Sequence, residues 1–528
     1  MNKTNPTATC KRLLYISFCL LSGLSVSAQD EAPAPIAPLP TKHQVAWQQM
    51  ETYAFIHFGP NTFQDREWGY GDAPLDCFNP TKLDCELWAR TLKAAGMNGV
   101  IITAKHHDGF CLWPSKYTDY CVRNTPWYAS RTARAGASGG EEGMMKGDIV
   151  GELAAACKKY GLKMGVYLSP WDRHQAFYGT PLYVEYFYAQ LEELMTRYGE
   201  LFEVWFDGAN GGDGYYGGAR EQREIDRRTY YDFPRAHRMV FKHQPQAIIF
   251  SDGGPGCRWV GNEKGYAFPT NWSFLRINDV YPGYAHFEEL QSGQAYGDTW
   301  VASECDVSIR PGWFYHESED DRVKTPEYLT DLYYRSVGHN GTLLLNFPVD
   351  RDGLIHPNDS MNAVAFHQRI QAELKENLLA KGATVSASDT RGNAFSTKAL
   401  TDDNYDTYWA THDGITSATL TFTFKRATLV NRLALQEYIP LGQRVKAFTV
   451  EYLDGKQWHP LDVGEETTTI GYKRLLRFHT ISTKAIRVSI TEARGPLCLN
   501  AVGAYYAAGA EATYKADTRN YDQQKLLR

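Results

Sequence analysis

Between about residue 45 and residue 350 the chain alternates short apolar runs with amphipathic stretches of helical period. That alternation predicts parallel strands under helical cover, because a strand buried on both faces reads as a continuous apolar run and its covering helix is apolar along one stripe. The predicted strands are Tyr53–His57, Gly99–Thr103, Lys163–Leu168, Phe202–Phe206, Ala247–Ser251, Trp300–Ser303 and Thr342–Asn346, with an eighth between Asp252 and Asp279. Helical patterns fall at Leu83–Ala95, Ile149–Tyr160, Leu182–Tyr198 and Tyr328–Val337. Eight strands over about 300 residues suit a closed (β/α)8 barrel of the TIM type better than an open sheet.

After about residue 380 the pattern changes to short alternating stretches, Thr419–Phe424, Phe448–Tyr452 and Ile486–Ile490, bounded by Gly, Asp and Asn turns. This is the pattern of an antiparallel β-sandwich. At the other end, Lys3, Lys11 and Arg12 precede an apolar run from Leu13 to about Leu24 and then Ser25-Val26-Ser27-Ala28, the form of an export signal cut after Ala28. The run is about 12 residues, where a membrane crossing needs roughly 20. The expected organisation is a signal over 1–28, a barrel over 29–375, a sandwich over 376–508 and a polar tail over 509–528. The protein is expected to be exported, to the periplasm or the medium. The eight cysteines beyond the signal show no CxxC pair, so most should be buried thiols, with room for one or two bridges. A net charge of −6 without long like-charge runs excludes a nucleic-acid groove or an anionic-membrane surface.

Reactive side chains fall where a barrel would use them. Strand one runs into His57-Phe58-Gly59-Pro60, strand two into Lys105-His106-His107-Asp108-Gly109, strand three into Tyr167-Leu168-Ser169-Pro170, and strand four into Trp205-Phe206-Asp207-Gly208. In a barrel all four strand ends open on one face, the face that carries active sites. Asp207 can serve as nucleophile or base, or it can simply turn the chain. Cleaving a glycosidic bond needs a second carboxyl group to protonate the leaving oxygen. Glu263, in a glycine-flanked loop beside Trp259, is the preferred candidate, since an acid kept protonated beside apolar rings suits that task. Glu304, at the end of the predicted seventh strand, is the other, and it could instead anchor loops through a salt bridge.

His57, His106 and His107 could hold sugar hydroxyls, coordinate a metal with Asp207, or sit satisfied in the core; adjacent His106 and His107 on extended chain should face opposite ways. Aromatics make up 13% of the chain. Trp68, Trp113, Tyr167, Trp171, Trp205, Trp259 and Trp313 are the rim candidates for stacking on a sugar, and position favours Trp68, Tyr167, Trp205 and Trp313.

Taken together, Phe55-Ile-His-Phe-Gly59, Glu67-Trp68, Ala104-Lys-His-His-Asp-Gly109, Tyr167-Leu-Ser-Pro170, Trp205-Phe-Asp-Gly208, Gly261-Asn-Glu263 and Gly341-Thr-Leu-Leu-Leu-Asn346 resemble the α-L-fucosidases of glycoside hydrolase family 29. The resemblance implies a retaining double displacement with Asp207 as nucleophile and Glu263 as acid then base. It implies that His57, Glu67, Trp68, His106, His107 and Tyr167 hold the fucose, that Trp205 lies in the binding site, and that Trp313 meets the fucose methyl. Gly-Asn-Glu resembles the subgroup selective for α-1,3/1,4-linked fucose on branched glycans, which implies that a neighbouring galactose is recognised as well. The partners implied are fucosylated oligosaccharides or glycoconjugates, and no cofactor is required. Tyr408-Trp-Ala-Thr411, Gly442-Gln-Arg-Val445 and Ile470-Gly-Tyr-Lys-Arg474 resemble discoidin-type (F5/8 type C) domains, often classed as carbohydrate-binding modules, which leaves open whether this domain binds glycan, a structural calcium or only the barrel. Trp409 is expected in that domain's core. Two rivals remain at this point: a metal-dependent barrel hydrolase built on His57, His106, His107 and Asp207, and a glycan-binding protein without turnover.

Overall fold

The computed structural model describes residues 31–134 and 146–510; the expected signal over 1–28 and residues 511–528 of the expected tail lie outside them. Eight parallel strands close into a barrel: β1 (Thr52–Ile56), β2 (Gly99–Lys105), β3 (Lys163–Leu168), β4 (Leu201–Trp205), β5 (Ile248–Ser251), β6 (Cys257–Trp259), β7 (Ala302–Ser308) and β8 (Thr342–Asn346). Each pairs with its neighbours in chain order, and β8 closes on β1. The eighth strand required by the sequence is β6, inside the predicted interval.

Alternate residues of each strand divide between two cores. Ala54, Val100, Val166, Val204 and Leu345 face outward against the helices, whereas Tyr53, Phe55, Tyr167, Trp205, Phe250 and Leu344 fill the barrel. The covering helices are α1 (Lys42–Gln48), α2 (Cys85–Ala94), α3 (Ile149–Tyr160), α4 (Pro181–Arg197), α5 (Phe233–His243), α6 (Pro326–Ser336) and α7 (Pro357–Glu373). Their ends follow local chemistry. Asp84 and Asp148 cap α2 and α3 by accepting from Leu87 N and Gly151 N, and Gly161 stops α3 in the left-handed region.

Two differences from the sequence expectation matter. The seventh strand runs over 302–308 instead of 300–303, and Trp300 pairs with Phe274 in a separate two-stranded piece. Two inward carboxyl residues, Glu304 and Asp306, break the apolar run that would have marked the strand. Secondly, the described segments joining β5 to β6 and β6 to β7 hold no α-helix. That side is covered by α1, whose Gln44 Nε2 donates to Gly256 O (2.8 Å) and Trp300 O (2.9 Å), and by the C-terminal domain.

The C-terminal domain is antiparallel throughout, built on two strands of 20 residues, Ala418–Glu437 and Arg474–Ala493, that pair along their length. Register shifts between Thr423 and Thr428 and between Val430 and Arg432 interrupt that ladder, and the core includes Trp409, Phe422, Phe448 and Phe478. Trp409 is in that core, as expected. The described cysteines are free thiols, all buried except the half-buried Cys77. Among the described residues no helix is long and apolar enough to cross a membrane.

Candidate active site

Inward positions that emerge from the barrel's C-terminal end line a cavity of about 400 Å³. His57 follows Tyr53 and Phe55 on β1 by the two-residue period, and Asp207 follows Glu203 and Trp205 on β4 in the same way. The cavity collects His57, His106, His107, Tyr167, Trp205 and Asp207 from strand ends, and Glu67, Trp68, Glu263 and Trp313 from the loops. The ten positions that the resemblance assigns to the site therefore line one cavity.

Asp207 is held on both oxygens. Oδ2 accepts from Tyr167 Oη (3.0 Å) and Oδ1 from Ala209 N (2.7 Å). Burial, with the Asp207 charge added to it, raises the Tyr167 phenol well above its ordinary pKa, so it stays a donor. The glycine after Asp207 answers to a neighbour: a Cβ at Gly208 would stand 2.6 Å from Asp252 Oδ2.

The histidines are neutral acceptors. Burial lowers His57 and His107 to about 3 and His106 well below its usual range. Asn346 Nδ2 donates to Ser308 Oγ and Trp313 O (both 2.9 Å), so its Oδ1 accepts from His57 Nδ1 at 2.8 Å. His57 Nε2 then carries a lone pair. In the same way, Ser169 Oγ donates to Trp171 O and so accepts from His107 Nδ1 (2.7 Å). The His107 Nε2 lone pair stands 3.7 Å from Asp207 Oδ2, so a ligand hydroxyl that donates to His107 would sit close to the Asp207 carboxylate. His106 and His107 do not face opposite ways as extended chain would demand. The strand ends at Lys105, which turns to Asp172 and Gln190, and the two rings lie 4.2 Å apart at the start of a turn.

The floor is aromatic. Trp205 stacks on Phe250 at 3.8 Å and Tyr167 on Trp205 at 5.3 Å. Trp68 stands edge-on to His107 and Trp171 at the rim. Trp313 lies 5.1 Å from the His57 ring, and its Nε1 donates to Glu263 Oε2 at 3.3 Å. Asn262 fixes the loop that carries Glu263, through Tyr266 O (2.9 Å), Gln291 Oε1 (3.1 Å) and Lys264 N (3.0 Å).

Glu304 is corrected by the structure. It lies within β7, fully buried in the barrel below Trp205, whose Nε1 donates to it at 2.8 Å; Tyr53 Oη donates to its other oxygen. Its neighbour is Glu203, which accepts from Trp47 Nε1 (2.9 Å). Burial, with the Glu304 charge, raises Glu203 well above the carboxylate range, so the pair keeps a proton. Neither a role at the cavity nor a salt bridge to loops falls to Glu304. Among the rim aromatics, Trp113 is buried on Glu193 and Trp171 lies behind the wall, while Trp259 joins the lining.

Two carboxyl groups in the cavity were missed. Asp252 follows Ile248 and Phe250 on β5, and Asp306 follows Glu304 on β7. The first had a signal, Ser251-Asp252-Gly253 repeating Phe206-Asp207-Gly208; the second was hidden by the misplaced strand. As for metal, the described residues bring three ligand atoms within 4.8 Å of one another only at Glu203, Cys257 and Glu304 in the barrel core. His57, His106, His107 and Asp207 do not converge in that way.

The family model described as alpha-L-fucosidase matches residues 35–366, and the F5/8 type C domain model matches residues 383–502. Alpha-L-fucosidase 1 of Arabidopsis thaliana is 40% identical over 509 residues, 93% of each chain. A glycoside hydrolase family 29 member from an unknown rumen bacterium superposes with a TM-score of 0.77 at 44% identity, covering 92% of this chain and 80% of that one. A fucosidase of the same family from Ruminococcus gnavus, solved in complex with fucose, gives 0.79 at 33% identity, over 91% and 97%.

Proposed function

The chain belongs to the α-L-fucosidases of glycoside hydrolase family 29, with an F5/8 type C domain at its C-terminus, and we propose that it is an exported, exo-acting, retaining enzyme that removes α-1,3/1,4-linked L-fucose from branched glycans. The observation that carries this reading is Asp207, oriented by Tyr167 Oη and Ala209 N in the same cavity as Glu263. In the first step Asp207 attacks the anomeric carbon, the glycosidic bond breaks, and Glu263 gives its proton to the departing oxygen. In the second, the Glu263 carboxylate takes a proton from water, whose oxygen displaces Asp207 and restores the starting configuration.

Fucose is uncharged, and neutral imidazoles with lone pairs suit its hydroxyls. The hydroxyl next to the anomeric carbon is the natural donor to His107 Nε2, while Trp313 offers an apolar face to the methyl group. The cavity, about 400 Å³, is in the range of drug-sized ligands and exceeds one deoxyhexose ring. Tyr284 and Phe287, which also line it, suit a neighbouring galactose. Export rests on the charged-then-apolar N-terminal segment ending in Ser-Val-Ser-Ala.

Asp207→Ala should abolish fucose release with the fold unchanged, and azide should restore turnover as β-fucosyl azide; near wild-type rates in the variant would end the proposal. Activity is expected to survive EDTA, in contrast to a metal-dependent hydrolase. A panel of fucosylated oligosaccharides of defined linkage tests the specificity.

A further inference from the structure

Glu67 lines the cavity, yet its carboxylate is engaged elsewhere. Oε2 accepts from Trp313 N (2.8 Å), and Oε1 accepts from Phe314 N (3.1 Å) and His316 Nε2 (2.7 Å). The other His316 nitrogen, Nδ1, lies 2.8 Å from Asp65 Oδ1. A neutral imidazole has one N–H and one lone pair and cannot donate to two carboxylates, so these contacts require both ring nitrogens to be protonated. The remaining charges around the ring fit a cation. Glu319 accepts from Gly312 N (3.1 Å), and Arg310, which donates to His316 O (3.4 Å), is neutralised by Asp359 and Asp320. Arg351 stands 4.0 Å from Asp65 on the solvent side.

The segment gripped in this way leads to both halves of the site. Trp313 is tied through its carbonyl to Asn346, which fixes His57, and through its indole to Glu263. We infer that His316 is a positioning residue: clamped as an imidazolium between Asp65 and Glu67, it holds the Glu67 carboxylate against the Trp313–Phe314 backbone and thereby sets where Trp313 and Glu263 stand. The role rests on the proposed reading of Glu263 as proton donor. Burial pushes the His316 pKa down, but the hydrogen bonds to Glu67 and Asp65 and the Glu67 and Glu319 charges outweigh it and raise it to about 9. Above that pH the ring loses a proton, a lone pair meets a carboxylate, and the clamp opens.

The test combines pH profiles of kcat and KM on an aryl α-L-fucoside and a fucosylated oligosaccharide with NMR titration of the His316 ring, assigned by its absence in His316→Gln. Wild type should lose kcat/KM on the alkaline side near pH 9, with the ring titrating there. His316→Gln should lower kcat/KM at pH 7 by about 10–100-fold, the effect of a misplacement on the order of 1 Å, and abolish that inflection. Asp65→Asn, at a more exposed position, removes one of the two carboxylates and should move the inflection and the NMR titration to lower pH. His316→Arg, which keeps the cation, should recover part of the rate. A ring that titrates near 6.5, or an alkaline limb unchanged in His316→Gln or Asp65→Asn, overturns the inference. Absence of fucose release by wild type would instead reject the proposed function, and the NMR titration would still decide the charge state of His316.

Discussion

Asp252 places a second carboxyl group beside Asp207, and its behaviour is set by what surrounds it. Burial raises its pKa, hydrogen bonds from Gly283 N (2.6 Å) and Tyr284 N (3.3 Å) oppose this, and the Asp207 charge adds to the rise, for a value of about 7. As pH rises through 7 the site therefore gains a negative charge next to Asp207. Asp252→Asn keeps an acceptor for the loop and removes the titration, so its kcat/KM profile should lose an inflection near pH 7 while fucose release persists. Glu304 is a different case, because its neighbours are all in the core. Glu304→Ala leaves the Trp205 indole N–H without an acceptor, at a cost of roughly 1–3 kcal/mol, whereas the Tyr53 hydroxyl keeps Thr342 Oγ1 at 3.0 Å. Urea unfolding should show a loss of roughly 1–3 kcal/mol, and a smaller one for Glu304→Gln, which retains an acceptor. Asp207 was legible from sequence because a carboxylate directly after an apolar run, followed by glycine, stands out. The clamp around His316 was not, since Asp65 and Glu67 lie 251 and 249 residues before His316.

The connection between β6 and β7 carries Glu263 and depends on one backbone position. Gly261 has φ +84°, and a Cβ there would stand 2.1 Å from Phe287 O, the carbonyl of a residue that also lines the cavity. Gly261→Ala must separate the two segments. It should cost about 10-fold or more in kcat/KM on oligosaccharides, with less effect on aryl fucosides, whose leaving groups need little protonation; equal losses on both would contradict the placement of Glu263. The same region shows why elements were misjudged. β7 was placed two residues early and cut short because its inward face carries acids, and periodicity locates a strand by where apolar residues are. The helices, with one apolar stripe and clear caps, were placed within a few residues.

The C-terminal domain takes the place of barrel helices. Trp272, Phe274 and Trp300 pack with Ile439 and Tyr472 of that domain. Gln443 Nε2 donates to Asn271 O (3.0 Å), Tyr472 N to Asn340 Oδ1 (2.7 Å), and Arg432 Nε to Glu373 Oε2 (3.0 Å) across buried contacts. A chain ending at residue 376 should aggregate or melt roughly 10 °C or more below the full chain, since several kcal/mol of burial and hydrogen bonding would be lost. The intact protein should melt in a single transition. A truncated chain that melts like the whole protein would show the contacts to be incidental.

The barrel, the antiparallel domain after it and the end of the barrel that carries the cavity were all visible in the order of residues, because strand and helix periods and the run of polar side chains after each apolar segment are local properties of the chain. Which carboxyl groups meet was decided by folding. Glu304 entered the core and Asp306 the cavity through a two-residue displacement of one strand, and Glu67 met His316 through loop closure. Charge state, burial and hydrogen-bond partners depend on distances in space, and residues far apart along the chain carry no record of those distances until the barrel closes.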